Sequence, residues 1–151
     1  LRGLTFGRTA VWEHLLRIWA SDNVLLGLGT GASRTYVKDI IANWDNPHGD
    51  YIRVLFDLGI VGLFIFVITW ANKALNYWRR WTRSRSNTQA ALRNFTAFLA
   101  LGYMLLSFLT DNFLVYFFIM APFAILLAIA DAQNSLEDGD AGNQSHASSA
   151  D

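Results

Sequence analysis

Three side chains that can carry charge or protons, His48, Arg53 and Asp57, stand early in the segment NPHGDYIRVLFDLGIVGLFIFVITW, residues 46–70. An imidazole can take up a proton near neutral pH, and a guanidinium stays ionised and can bind phosphate oxygens through paired N–H groups. A lipid bilayer tolerates these residue types poorly, yet the segment becomes wholly apolar after Asp57. The pattern indicates polar chemistry at the edge of a membrane.

The residues around His48 predict the start of a helix. Asn46 is a good N-cap and Pro47 suits the first helical position, so His48 is expected in the first turn. The positive end of the helix dipole favours a neutral imidazole, the form that accepts a proton. Arg53 and Asp57 have the spacing of an ion pair along the helix. The alternative is that His48 is an ordinary interfacial residue and that the charged pair only anchors the helix end.

The composition indicates a membrane protein. Of 151 residues, 53% are hydrophobic and only 16% are charged, and there is no cysteine, so disulfides and thiolate sites are excluded. Apolar segments occur at about 54–71, 95–109 and 113–130. A buried helix pair in a soluble protein is the alternative, but so few charges could not cover three such helices. We expect an all-α polytopic membrane protein fragment with three transmembrane helices plus short amphipathic helices.

The charge distribution predicts the orientation. The loop 72–94 holds six Lys and Arg residues and no acid, which is typical of a cytoplasmic loop. Residues 1–53 then form a periplasmic loop, 54–130 the transmembrane region, and the acidic segment 131–151 a disordered cytoplasmic tail. Aromatic residues beside the basic loop are typical of a membrane interface, so membrane lipid is the expected partner and nucleic acid is not.

Two amphipathic helices are predicted in the periplasmic segment. In the first, at about 7–20, Arg8 falls on the same face as the apolar stripe that includes Trp12. The second, at about 33–44, has Ser33 as a plausible N-cap and Arg34 in its first turn. Each helix therefore presents an arginine where lipid headgroups would lie.

The glycine-rich stretch LLGLGTGAS joins these two helices. Gly27, Gly29 and Ala32 satisfy a dinucleotide-binding fingerprint, but no strand–turn–helix unit surrounds them, so we reject that interpretation. Two interpretations stay open for Gly27, Gly29 and Gly31. They allow a sharp turn with close backbone approach, or their N–H groups cradle a diphosphate.

Taken together, TFGRTAVWEHL, LLGLGTGAS and NPHGDYIRVLFDLGIVGLF resemble the conserved core of the O-antigen ligase and O-antigen polymerase superfamily. The shared marks are an arginine four residues before a tryptophan, the glycine loop, and a histidine separated by ten residues from a glycine. Tyr51 lies between that histidine and that glycine, and the same glycine begins the sequence GIVG. Two positions depart from the family pattern: Gly49 stands where Asn is frequent, and Asp57 where Glu is frequent. Family members have more membrane helices, so the resemblance implies a C-terminal fragment that is inactive alone.

The resemblance implies a bacterial inner-membrane, multi-pass glycosyltransferase. It would transfer glycan, with inversion, from an undecaprenyl-diphosphate-linked donor to a hydroxyl of an acceptor glycan or of lipid A core on the periplasmic side. Arg8 and His48 would be catalytic. No cofactor is expected and, since the outer segment has no Asp-x-Asp or similar cluster, no metal. The residues expected to bind substrate are Arg34, Arg53, Tyr51, Gly29 and Gly31.

Other functions compete with this one. A non-catalytic subunit of a glycan assembly or export complex would use the same arginines to bind lipid-linked substrate, but it would not need His48. A transporter or channel would require ionisable residues inside the spans, where only Arg53 and Asp57 occur, at one end. Within the enzyme class, the sequence does not distinguish a ligase from a polymerase.

Overall fold

The computed structural model describes residues 8–40, 45–84 and 86–148. Within these ranges the chain is all-α and forms no strand, which confirms the predicted fold class. Residues 41–44, the end of the second predicted amphipathic helix, lie outside them. The elements are α1 (Arg8–Ser21), α2 (Ala32–Ile40), α3 (Asp50–Arg83), α4 (Thr88–Ser107), a short 3-10 helix (Phe113–Val115) and α5 (Phe117–Ser148).

Three of these helices, α3, α4 and α5, are long and apolar enough to cross a membrane. They correspond to the three predicted spans, and large apolar side chains such as Phe64, Phe117 and Phe118 remain exposed on them, as lipid contact would allow. The boundaries differ from the prediction. Helix α3 continues past residue 71 to Arg83, and α4 already begins at Thr88, where the Asn87 side chain accepts the Ala90 N–H at 3.2 Å.

Two separate apolar clusters hold the fold together. The larger one joins α3, α4 and α5, and its buried members are Tyr77, Ala97, Leu101, Met104, Phe108, Leu127 and Ala130. The smaller one packs α1 and α2 against the start of α3 through Val11, Leu15, Val37 and Phe56. The buried face of α1 is thus centred on Val11 and Leu15; Leu15 belongs to the predicted apolar stripe, whereas Trp12 of that stripe is only partly buried. This smaller cluster fixes α1 beside the first turns of α3.

Helix α3 is interrupted at Gly59, which has φ 69° and ψ −171°. The loop between α1 and α2 enters the interruption: Leu28 N–H donates to the Phe56 carbonyl at 3.0 Å and Gly29 N–H to the Asp57 carbonyl at 2.9 Å. Beyond the break, the Ile60 and Val61 N–H groups donate to carbonyls of that loop. The loop therefore replaces helical hydrogen bonds of α3, and we call this arrangement the loop clasp.

The acidic tail differs from the prediction of disorder from residue 131. Helix α5 continues to Ser148, so the described part of the tail is helical. Acids in the first turns of this tail pair with cations of the other helices: Asp131 with Lys73, Glu137 with Arg93 and Asp138 with Arg80. These ion pairs supply ordering contacts that composition alone did not predict. The predicted boundary between 53 and 54 also falls inside α3.

Candidate active site

The connection between α4 and α5, residues 108–116, is contacted by several of the predicted functional residues, and we call it the α4–α5 turn. Arg8, the first residue of α1, donates from Nη1 to the Thr110 carbonyl at 2.7 Å. The two residues are 102 positions apart in the chain. The tertiary structure therefore brings the start of α1 to the same end of the molecule as this turn.

Trp12 fixes that placement of Arg8. One helical turn after Arg8, its indole Nε1 donates to the Pro47 carbonyl at 2.6 Å. Its ring also packs on Gly49, where an added Cβ would lie 3.1 Å from a ring carbon. The arginine and tryptophan spaced by four residues thus have distinct roles: Trp12 anchors α1 to the segment around His48, and Arg8 reaches the turn.

His48 lies before helix α3 and not within its first turn, because the helix begins at Asp50. The prediction that Asn46 caps the helix and that His48 lies in its first turn is therefore wrong: the N-cap position is Gly49. The backbone of His48 has φ 52°, the left-handed region, which is strained for a residue other than glycine. This conformation brings the ring to the α4–α5 turn, with Nδ1 3.3 Å from Asn112 Nδ2 and 3.5 Å from Asp111 Oδ1.

Asp50, which is not among the predicted site residues, holds both ends of the same turn. Its backbone N–H donates to the Phe108 carbonyl at 2.9 Å, and its Oδ2 accepts the Leu114 N–H at 3.0 Å. The residue is fully buried. The sequence signal was an acid two positions after His48 at the start of an apolar segment, a place where a carboxylate is costly unless it has donors.

Asp57 connects the loop clasp to helix α2. Its Oδ1 accepts the Ser33 N–H at 2.8 Å and its Oδ2 accepts the Gly31 N–H at 2.9 Å, so Asp57 caps α2 from another helix. Ser33 is inside the first turn of α2 and is not its N-cap. The Gly29 and Gly31 N–H groups donate to Asp57, so they are engaged within the protein and do not form an open diphosphate cradle; the close backbone approach is at Gly27.

Arg53 borders a cavity of about 200 Å³ together with Thr30, Gly31, Asp57 and Leu114. Its Nε is 3.9 Å from Asp57 Oδ2, a looser contact than the two backbone N–H groups make with that carboxylate. Nη1 of Arg53 is buried, and among the described residues no hydrogen-bond acceptor reaches it. The predicted ion pair is therefore present but leaves part of the guanidinium unsatisfied.

Two predicted substrate-binding residues lie elsewhere. Arg34 is exposed on α2 and pairs with Asp45 at 3.0 Å; hydrogen bonds from Lys38 and Arg34 hold the pKa of that carboxyl below its usual range. The Tyr51 hydroxyl donates to the Leu105 carbonyl at 3.0 Å, and its ring lies in the α3–α4 packing. Tyr51 follows Asp50 by one residue, so it points about 100° away around the helix. Arg34 does not reach the α4–α5 turn, and Tyr51 contacts it through its ring, which packs edge-to-face on Phe108 at 6.0 Å between ring centroids.

The arrangement around the turn combines a cation with a proton acceptor. The Arg8 guanidinium can stabilise negative charge on phosphate oxygens, and the His48 imidazole can accept a proton from a hydroxyl. Asp111 lies beside the imidazole, where a carboxylate can stabilise the protonated ring. These groups together suit a displacement in which a hydroxyl attacks and a phosphate leaves.

Comparison with known proteins identifies one family. Residues 2–67 match the family model described as O-antigen ligase, which confirms the resemblance inferred from the sequence motifs. The matched segment includes α1, α2, the loop clasp and the residues around His48. No match was found among the curated proteins or among the solved structures.

Proposed function

Starting from a chain whose residues 2–67 match the family model described as O-antigen ligase, we propose that this protein is a bacterial membrane glycosyltransferase that acts on lipid-linked glycan at the periplasmic face. The donor is a glycan on undecaprenyl diphosphate, and the acceptor is a sugar hydroxyl, of another glycan or of lipid A core. The protein spans the inner membrane several times, and the transfer inverts the anomeric carbon.

In the proposed reaction, the acceptor oxygen forms a bond to the anomeric carbon while the bond from that carbon to the diphosphate oxygen breaks. His48 accepts the proton of the attacking hydroxyl, and the electron pair of the broken bond stays on the lipid diphosphate. Arg8 stabilises the negative charge that grows on this leaving group, since a guanidinium stays ionised and engages phosphate oxygens in pairs.

The observation that carries the proposal is that Arg8 and His48 contact the same α4–α5 turn. Arg8 binds Thr110 and His48 lies against Asp111 and Asn112, although the three segments are far apart in sequence. The strained left-handed backbone of His48 adds support, because such strain persists where the surrounding structure imposes it, and it is concentrated at functional sites.

The test compares matched variants of the full-length protein in membranes supplied with lipid-linked donor and acceptor. His48→Asn suits the site because asparagine tolerates the left-handed backbone better than alanine. We expect it to lower turnover by roughly 10²–10⁴-fold, and Arg8→Ala by roughly 10²–10³-fold. The controls His14→Ala and Arg17→Ala remove an exposed histidine and an exposed arginine of α1 and should leave turnover unchanged.

Normal transfer by a stably inserted His48→Asn protein would refute the catalytic role. If, in addition, Arg8→Ala abolished donor binding, the chain would instead be a non-catalytic subunit that holds lipid-linked glycan. The length distribution of surface polysaccharide in a deletion strain then separates the two enzyme types: single repeats on the acceptor indicate a missing polymerase, and long unattached chains a missing ligase.

A further inference from the structure

We infer that Asp50 is a positioning residue for the transfer reaction, acting through the α4–α5 turn on both His48 and Arg8. The inference rests on the proposed function. It concerns a residue that the sequence motifs did not single out.

The hydrogen bonds of Asp50 reach the two ends of one short segment. Its N–H donates to Phe108, where α4 has just ended, and its carboxylate accepts from Leu114 in the 3-10 helix. Between these two points lie Thr110, Asp111 and Asn112. One buried residue at the start of α3 therefore fixes the segment from both sides.

Both proposed catalytic residues take their position from the middle of that segment. Arg8 donates to the Thr110 carbonyl, and the His48 ring lies against Asp111 and Asn112. A shift of the turn would therefore displace the guanidinium and the imidazole together. His48 is also only two residues before Asp50 in the chain. Asp50 therefore fixes both the turn and the point at which the His48 segment joins α3.

Asp50 is placed to act in this way and not on substrate. The residue has no exposed surface, so a donor or acceptor sugar cannot reach its carboxylate without rearrangement. Its loss should alter the geometry of reaction more than the affinity for donor. A displacement near 1 Å at a reacting group can cost about 10²-fold in rate.

The experiment uses Asp50→Ala, Asp50→Asn and the exposed control Asp39→Ala in the full-length protein in membranes. Asp50→Ala should lower kcat by about 10²-fold and leave the KM for lipid-linked donor unchanged. Asp50→Asn keeps an oxygen that can accept the Leu114 N–H and should restore most of the rate. Combined with His48→Asn, Asp50→Ala should add little further loss, since both changes remove the same function.

Three results would overturn the inference: wild-type kcat in Asp50→Ala, a raised donor KM with kcat intact, or losses that multiply in the double variant. If Asp50→Ala does not accumulate in membranes, Asp50→Glu is used in its place. The glutamate retains a carboxylate acceptor, but its additional methylene displaces the turn. The same loss of kcat at constant KM is expected. Failure of the proposed function is seen separately, as full activity of His48→Asn alone.

Discussion

Arg53 has a charge that its described neighbours satisfy only in part. Its partner carboxylate, Asp57, already accepts backbone N–H groups at both oxygens, and Nη1 of Arg53 is buried without an acceptor. A buried cation without a partner is costly, whereas the adjoining cavity of about 200 Å³ has room for a phosphate group. We therefore expect Arg53 to bind one phosphate of the proposed lipid-linked donor.

Replacing Arg53 by Met, which keeps much of the length and apolar volume, should raise the donor KM by roughly 10- to 100-fold, the value of one charge-assisted hydrogen bond. The melting temperature should change little, because Nη1 has no bond to lose and the contact of Nε with Asp57, at 3.9 Å, is loose. The measurement is donor-dependent transfer in membranes, with inorganic pyrophosphate as a competing ligand and Arg17→Ala as control. An unchanged KM together with a lowered melting temperature would assign Arg53 to structure alone.

At the scale of elements, the loop clasp determines where the other residues lie. The loop supplies hydrogen bonds on both sides of the Gly59 interruption, so helix α3 is broken without leaving those groups unpaired. An added Cβ on Gly59 would lie 2.2 Å from the Leu25 carbonyl oxygen, and one on Gly27 would lie 2.5 Å from Gly59 N. Only glycine fits at this crossing, because both positions also have positive φ.

Gly59→Ala should therefore lower the melting temperature of the purified protein and reduce transfer. Its backbone region is essentially restricted to glycine, at a cost of about 1–3 kcal/mol, and the overlap with the loop adds to this. Gly102→Ala in α4 is the matched control: nothing lies near its added Cβ, and alanine favours a helix. Tryptophan fluorescence during heating in detergent measures the difference. Equal melting of the two variants would contradict the role assigned to the clasp.

At the scale of the whole molecule, the two ends of the long helices differ in chemistry. Arg8, His48 and the α4–α5 turn lie at one end, and the basic residues of the α3–α4 connection lie at the other, where ion pairs tie α3 and α4 to α5. Because Lys and Arg accumulate on the cytoplasmic side of membrane proteins, we expect the end with the proposed active site to face the periplasm.

The chain contains no cysteine, so single introduced cysteines can test this orientation without background. Asp39→Cys lies on exposed α2, and Ser86→Cys in the connection between α3 and α4. A maleimide that cannot cross the inner membrane should label Cys at 39, but not at 86, in cells whose outer membrane is permeable. Disruption of the inner membrane should then make both reactive, and labelling of position 86 before disruption would reverse the orientation.

The sequence by itself determined the class and the main elements. Long apolar segments and scarce charges predicted three membrane helices, because a bilayer requires long apolar spans. Period-3.6 patterning predicted α1 close to its observed range and the start of α2, and the ordered motifs around Arg8 and His48 predicted the family model that residues 2–67 match. These features depend on local spacing and composition, which a sequence displays directly.

Only the tertiary structure decided how those residues are used. Asp57 caps α2 from another helix, Asp50 fixes a turn about sixty residues away, and the tail acids are ordered by distant cations. His48 was expected inside a helix, yet contacts with a remote turn place it outside. Such partners become neighbours through folding of the whole chain, and no local period or composition encodes a hydrogen bond between groups so far apart in sequence.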